Sequence, residues 1–260
     1  MEQQLYQLHR GEAPLVVTMP HLGTYVPQEI SQHFTEDAQA RIDTDWHLDR
    51  LYNFVEALGA TVIRAEVSRY VVDLNRPPSN ESLYPGQVVT SLCPTETFDG
   101  KPVYQPGYDL TDAEIARRKE LYWQPWHDCV AAELERLKAK HERVVLWDAH
   151  SIRSLLPLHF EGRLPDFNIG TNSGRSCDKS IVEPVLAAVR EAAPLTHILN
   201  GRYKGGYITR HYGDPDNRVH AVQMELAQAC YMTELSPDQW DDDKAVAVRR
   251  VLERILRSYV

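Results

Sequence analysis

"VVLWDAHSIRS" (144–154) is the stretch from which the fold is read. An apolar run ends on Asp148 and His150, which alternate along a strand and so leave it on one face. A buried strand that simply stops explains the change to polar residues. A strand that carries a metal ligand or catalytic histidine into a pocket explains it equally, and only the partners of these residues decide.

Outward from this strand the chain alternates between extended and helical patterns. "PLVVTMPH" (14–21) is a short apolar run leaving a sheet at Pro20. Residues 36–60 are helical in period, with Trp46, Leu48, Leu51, Tyr52, Val55 and Leu58 recurring at threes and fours and Gly59 as the C-terminal cap. "TVIRAEVSRYVVDLNRPP" (61–78) is β-branched and stopped by its double proline, and 79–110 reads as an irregular excursion. Residues 109–142 form a long helical stretch interrupted or kinked near Pro125. Strands at "DFNIGT", "HILN" and "HAVQMELAQA", and helices at "KSIVEPVLAAVREAA" and 240–258, complete the order. Strands alternating with helices predict an α/β fold with a mostly parallel sheet, here one domain over 1–260. Ligands of such sheets gather where strands end. His21, Asn75 with Arg76, and Asp148 with His150 all stand at strand ends.

The 260 residues are ample for a large core, and 43% hydrophobic with 25% charged is ordinary globular composition. With 28 basic and 37 acidic side chains the net charge is −9, which argues against a nucleic-acid backbone binder but leaves room for a small anionic substrate in a locally positive pocket. Four scattered cysteines form no CxxC pair, no segment reaches a membrane-spanning apolar length, and the N-terminus lacks an apolar signal core. The expectation is a cytoplasmic protein without membrane or nucleic-acid partners.

Alone, His21 reads equally as a hydrogen-bonded structural residue; with His150 it makes half of a zinc site, which wants a further carboxylate. Asp43, Asp45 and Asp49 are the candidates. Asp43 suits a helix N-cap and Asp49 solvent or Arg50, which leaves Asp45. Asp148 could orient an imidazole or be a ligand itself. Glu225, between Met224 and Leu226, is an acid in apolar company, suited to a raised pKa and to general-base work; a buried structural acid paired with arginine is the bland alternative. Arg69, Arg76, Arg153, Arg175, Arg202, Lys204 and Arg210 supply positive charge on loops, and the glycines of "NGRYKGGY" suit backbone close to a ligand, a lid or a plain turn.

Taken in order, "MPHLGTYVP", "DTDWHLDRLY", "SRYVVDLNRP", "LWDAHSIRS", "LPDFNIGTNSGRSC", "LNGRYKGGYITRHYG" and "VHAVQMELAQ" resemble the N-formylglutamate amidohydrolases (N-formylglutamate deformylases) over residues 14 to 232. The resemblance implies a three-layer α/β/α sandwich around a mixed, mostly parallel sheet, similar to the zinc-carboxypeptidase group. It implies hydrolysis of N-formyl-L-glutamate to formate and L-glutamate, in histidine degradation, with a divalent metal, zinc first. His21 and His150 match its metal ligands and Glu225 its water-activating acid. Thr24 stands where the HxxE of carboxypeptidases has its glutamate, so the third ligand comes from elsewhere, and Asp45 is inferred. Asn75 with Arg76 resembles the pair that holds a terminal carboxylate in the fold relatives, and Arg69, Arg175 and Arg210 join Arg76 as the expected clamp for a dianion. Two other readings remain: a metal-dependent deacylase or carboxypeptidase for another N-acyl amino acid or short peptide, and a non-catalytic binder of acidic amino acids. A serine hydrolase built on Ser151 lacks the GxSxG elbow.

Overall fold

A computed structural model of the chain describes residues 4–83, 86, 89–234, 236 and 239–260. Its seven strands are β1 (Tyr6–His9), β2 (Leu15–Met19), β3 (Thr61–Ala65), β4 (Val144–Ile152), β5 (Phe167–Gly170), β6 (His197–Leu199) and β7 (Val219–Ala227). They form one sheet in the order β1-β3-β2-β4-β7-β5-β6. The run β3-β2-β4-β7 is parallel, while β1 joins β3 and β5 joins β7 antiparallel, and β6 follows β5 in parallel. The sheet is therefore mixed, as expected, and β1 is a strand the sequence reading did not anticipate.

Every residue of β2, β4 and β7 is buried, because both faces of this central sheet are covered. On one face Val17, Trp147, Val222 and Met224 pack against α3 (Leu48–Leu51), α6 (Lys179–Arg190) and α8 (Asp242–Arg257). On the other, Val16, Leu146 and Ala221 pack against α5 (Gln124–Lys138) and Ile208 of α7 (Tyr207–Tyr212). The result is three layers, α/β/α. The helix α4 (Asp112–Arg118) runs into α5 through a π turn at Lys119–Trp123. That wide turn precedes Pro125, which has no N–H to return to the preceding turn, so the expected interruption is a bulge within continuous helix.

The helix expected over 36–60 is broken. Only α2 (Glu36–Gln39) and α3 are α-helical there; the short helix α1 (Gln28–Ser31) precedes them. Between them Arg41 and His47 take positive φ, and the Asp45 amide donates to the His21 carbonyl at 3.0 Å. The apolar period still records the buried face of Leu48, Leu51, Tyr52 and Val55. Gly59 keeps its capping conformation, at φ +77°. Beyond β3, the predicted strand turns into a loop (66–78) that brings Asp73 to His21 and Asn75 to Asp148.

Candidate active site

Along β4 the residues facing α5 and α7 are Val144, Leu146, Asp148 and His150; along β7 they are Val219, Ala221, Gln223 and Glu225. The register pairs Asp148 with Gln223 and His150 with Glu225. Two apolar rows thus turn polar together at the carboxyl ends of adjacent parallel strands. His21, just past β2, and Asp45, in the turn before α3, meet them there: ligand atoms of His21, Asp45 and His150 all lie within 4.8 Å of one another.

The imidazoles face inward through their δ nitrogens. His150 Nδ1 is 3.2 Å from His21 Nδ1 and 3.3 Å from Asp45 Oδ2. Their outer nitrogens are held by carboxylates: His21 Nε2 is 2.6 Å from Asp73 Oδ1, and His150 Nε2 is 2.9 Å from Asp148 Oδ2. Donation of each Nε2–H to its carboxylate leaves both Nδ1 lone pairs directed at a common point. Asp148 is fixed in turn by the Thr18 hydroxyl, which donates to Oδ1 at 2.8 Å. Asp45 Oδ2 accepts the Ser151 amide at 3.0 Å, whereas its buried Oδ1 accepts no hydrogen bond. Asp45 Oδ2, 3.3 Å from His150 Nδ1 and 3.8 Å from His21 Nδ1, completes with the two imidazole nitrogens a buried donor set that fits a divalent cation. Burial and Arg69 lower the His21 pKa; at His150 burial is outweighed by Asp148 and Asp45, which hold its pKa well above the ordinary value.

Glu225 stands beside this group. Burial lifts its carboxyl to about 8, with Asp45 and Asp148 adding to the rise and His150 and Arg69 opposing it. Its orientation is set by Gln223: the Gly206 amide donates to Gln223 Oε1 at 2.7 Å, so the Gln223 amino group faces Glu225 Oε2 at 3.0 Å. Sequence reasoning passed over Gln223, although it precedes Glu225 by the two-residue step that separates Asp148 from His150. Asp73 was also passed over, inside the quoted "SRYVVDLNRP".

His21, His150 and Glu225 line a cavity of about 70 Å³ together with Arg69, Arg76 and Arg202. Val89, Thr90 and Phe98 bring part of the irregular 79–110 stretch into its wall, while 84, 85, 87 and 88 of that stretch lie outside the described residues. Arg69 is already engaged: it donates to Asp73 Oδ2 at 3.0 Å, lies 3.6 Å from Asp45 Oδ1 and stacks 4.6 Å from the Phe98 ring centre. It is the buried counter-charge of the acids more than a clamp. Asn75 lines the cavity, but its Oδ1 accepts the Ile208 amide at 2.8 Å and its Nδ2 lies 3.4 Å from Asp148 Oδ2, so it ties the 66–78 loop to α7 and to the acid behind His150. Arg175 is exposed, on Asn172 Oδ1 at 3.1 Å, and Arg210 donates to the Gly205 carbonyl at 2.8 Å; neither contributes to the cavity wall. Asp43 is no helix cap: it accepts the Phe98 amide at 2.8 Å and the Tyr70 hydroxyl at 2.7 Å. The glycines of "KGGY" serve close packing. A Cβ on Gly170 would lie 2.5 Å from the Gly205 nitrogen, and one on Gly206 would overlap the Asn75 amide.

The N-formylglutamate amidohydrolase family model matches residues 13–232. The chain belongs to that family. It is similar to the N-formylglutamate deformylase of Pseudomonas aeruginosa, at 48% identity over 98% of this chain and 96% of the relative. The corresponding deformylase of Pseudomonas putida is 44% identical, over 98% and 95%. Among solved structures, an N-formylglutamate amidohydrolase from Ralstonia eutropha JMP134 superposes with a TM-score of 0.81 at 27% identity, covering 98% of this chain and 97% of that one.

Other nucleophiles of this family member are poorly placed. Ser151 points to the opposite face of β4, where its hydroxyl oxygen accepts from the Tyr231 hydroxyl at 2.7 Å. All four cysteines are buried and unbridged, and burial pushes the Cys93 and Cys177 thiols up to about 12. Among the described residues, no helix is long and apolar enough to cross a membrane.

Proposed function

We propose that the chain hydrolyses N-formyl-L-glutamate to formate and L-glutamate, in histidine degradation, with His21, Asp45 and His150 holding a divalent metal and Glu225 moving the proton. The observation that carries this reading is the convergence of two imidazole Nδ1 atoms and Asp45 Oδ2 beside a carboxyl of raised pKa. Its substrate comes from kinship: relatives at 48% and 44% identity are N-formylglutamate deformylases. Zinc is the metal this nitrogen, nitrogen and oxygen set suits best. When bound, a divalent cation supplies Lewis acidity and lowers the pKa of water toward neutrality.

The remaining chemistry belongs to the chain. Glu225 accepts a proton from the attacking water as its oxygen bonds to the formyl carbon. The carboxyl then delivers that proton to the amide nitrogen as the C–N bond breaks, releasing formate and the amine. Arg76, next to Asn75 and 3.8 Å from Asp73 Oδ2 through its Nε, is close enough to the metal ligands to hold the α-carboxylate beside the reacting amide. That contact fixes the formyl carbon against the water. We read the chain as one cytoplasmic domain, since its unbridged cysteines suit a reducing compartment. Kinship to the zinc-carboxypeptidase fold is part of the same proposal, supported by the mixed sheet and by ligands at strand ends.

The test is a panel of N-formyl-L-glutamate, N-acetyl-L-glutamate and a glutamyl dipeptide. The small cavity predicts that kcat/KM for the formyl compound exceeds the others by about 5- to 150-fold, since uncomplemented bulk at an acyl pocket costs about 1–3 kcal/mol. Faster turnover of the acetyl compound or the peptide would move the assignment to the alternative deacylase or peptidase.

A further inference from the structure

Two guanidinium groups that line the cavity arrive from opposite flanks of the sheet. Arg76 comes from the loop after β3, and Arg202 from the loop after β6, with the ligand histidines and Glu225 on or just past strands between them. Their contacts differ in kind. Arg76 follows Asn75 and reaches Asp73, the acid bonded to His21. Arg202 has its Nε donating to the His159 carbonyl at 3.0 Å and its guanidinium carbon 5.3 Å from the Tyr203 ring centre. His159 and Tyr203 line the same cavity, so the guanidinium plane is fixed in its wall by groups other than the metal ligands and the acids bonded to them.

The proposed substrate has the same asymmetry. Its α-carboxylate shares a carbon with the formamide nitrogen, whereas its side-chain carboxylate lies two methylenes further out. We propose that Arg202 receives the side-chain carboxylate and makes the cavity select an N-formyl dicarboxylic amino acid over neutral ones. The assignment rests on the deformylase reading and adds to it the residue that sets its side-chain specificity. Arg175 and Arg210, outside the cavity wall, have no part in it. The Nε anchor on His159 matters because a guanidinium with its plane already set gives a carboxylate two parallel donors with less ordering.

The experiment compares kcat/KM for N-formyl-L-glutamate and N-formyl-L-glutamine, which differ by one charge at nearly constant shape, in wild type, Arg202→Gln and Arg202→Lys. Wild type prefers the glutamate compound. In Arg202→Gln the glutamate-to-glutamine ratio falls about 30-fold, the worth of a charged hydrogen bond, mainly through the KM for N-formylglutamate. Arg202→Lys, which keeps the charge without the fork, falls in between. Both substrates are read on one preparation, so a smaller active fraction moves both constants together and leaves the ratio intact. An unchanged ratio in Arg202→Gln overturns the inference. Absence of wild-type turnover of N-formylglutamate overturns the functional reading and this inference with it; turnover with an unmoved ratio overturns the inference alone.

Discussion

A neutral imidazole offers a cation one lone pair, and the partner at its other nitrogen decides which. Asp73 makes that choice for His21, at 2.6 Å from Nε2, and is itself kept ionised: burial would raise its pKa, but His21 and Arg69 hold it well below the usual carboxylate range. Replacing Asp73 by Asn keeps an acceptor for the Nε2–H but removes the charge that strengthens the Nδ1 lone pair. Metal affinity should fall about 10- to 100-fold, measured by competition with a chromogenic chelator. Unaltered affinity in Asp73→Asn would reduce Asp73 to a packing residue. Much of this centre was legible. His21, His150 and Glu225 announce themselves as polar residues closing apolar runs. Asp73 did not, because it lies within a loop whose arginines drew attention first. Arg175, on an exposed turn, and Arg210, within α7, were not placed by sequence because residue type does not show which way an arginine faces.

The same limit governs the elements. The rows of β4 and β7 were readable because a strand's two-residue period fixes which side chains share a face. The stretch 41–47 was not, since its conformation is imposed by contacts from far along the chain, such as Asp43 with Phe98 and Asp45 with Ser151. Helix α5 and the π turn that leads into it show how an element remote in sequence holds the site loop. Trp123 Nε1 donates to the Arg76 carbonyl at 3.0 Å, and His127 Nε2 donates to the Leu74 carbonyl at 2.9 Å while its Nδ1 accepts from the Tyr212 hydroxyl at 2.9 Å. Burial keeps this imidazole neutral, its pKa pushed down to about 3 from 6.5. Below pH 6.5 the unfolded chain takes up a proton that the folded chain refuses until near pH 3. Stability is therefore whole above pH 6.5 and declines toward pH 3, by roughly 1.4 kcal/mol per pH unit from this group. Urea unfolding of His127→Gln between pH 6.5 and 4 should show a slope shallower by about one proton. Equal slopes in the two proteins would mean that His127 is protonated in the native state.

For the molecule as a whole, layer order and charge placement matter more than any single contact. A chain of net charge −9 gathers Arg69, Arg76 and Arg202 around one cavity and four carboxylates, Asp45, Asp73, Asp148 and Glu225, around or beside it. Burying that many acids is costly unless they are paired or face a cation. The α/β alternation was legible because buried strands and amphipathic helices have distinct periods. The β1 edge strand and the antiparallel direction of β5 were not, because they depend on pairing partners that no local pattern names.

The most direct test of the central claim is a zinc titration of protein stripped by a chelator, with metal binding and formate release from N-formyl-L-glutamate read together. Formate release should rise with the first equivalent and then level. Asp45→Ala should lose most of the binding, whereas Glu225→Gln should bind the metal yet release formate about 10³-fold more slowly, within the range for loss of a general base. Full activity in stripped protein, or undiminished binding by Asp45→Ala, would contradict the account.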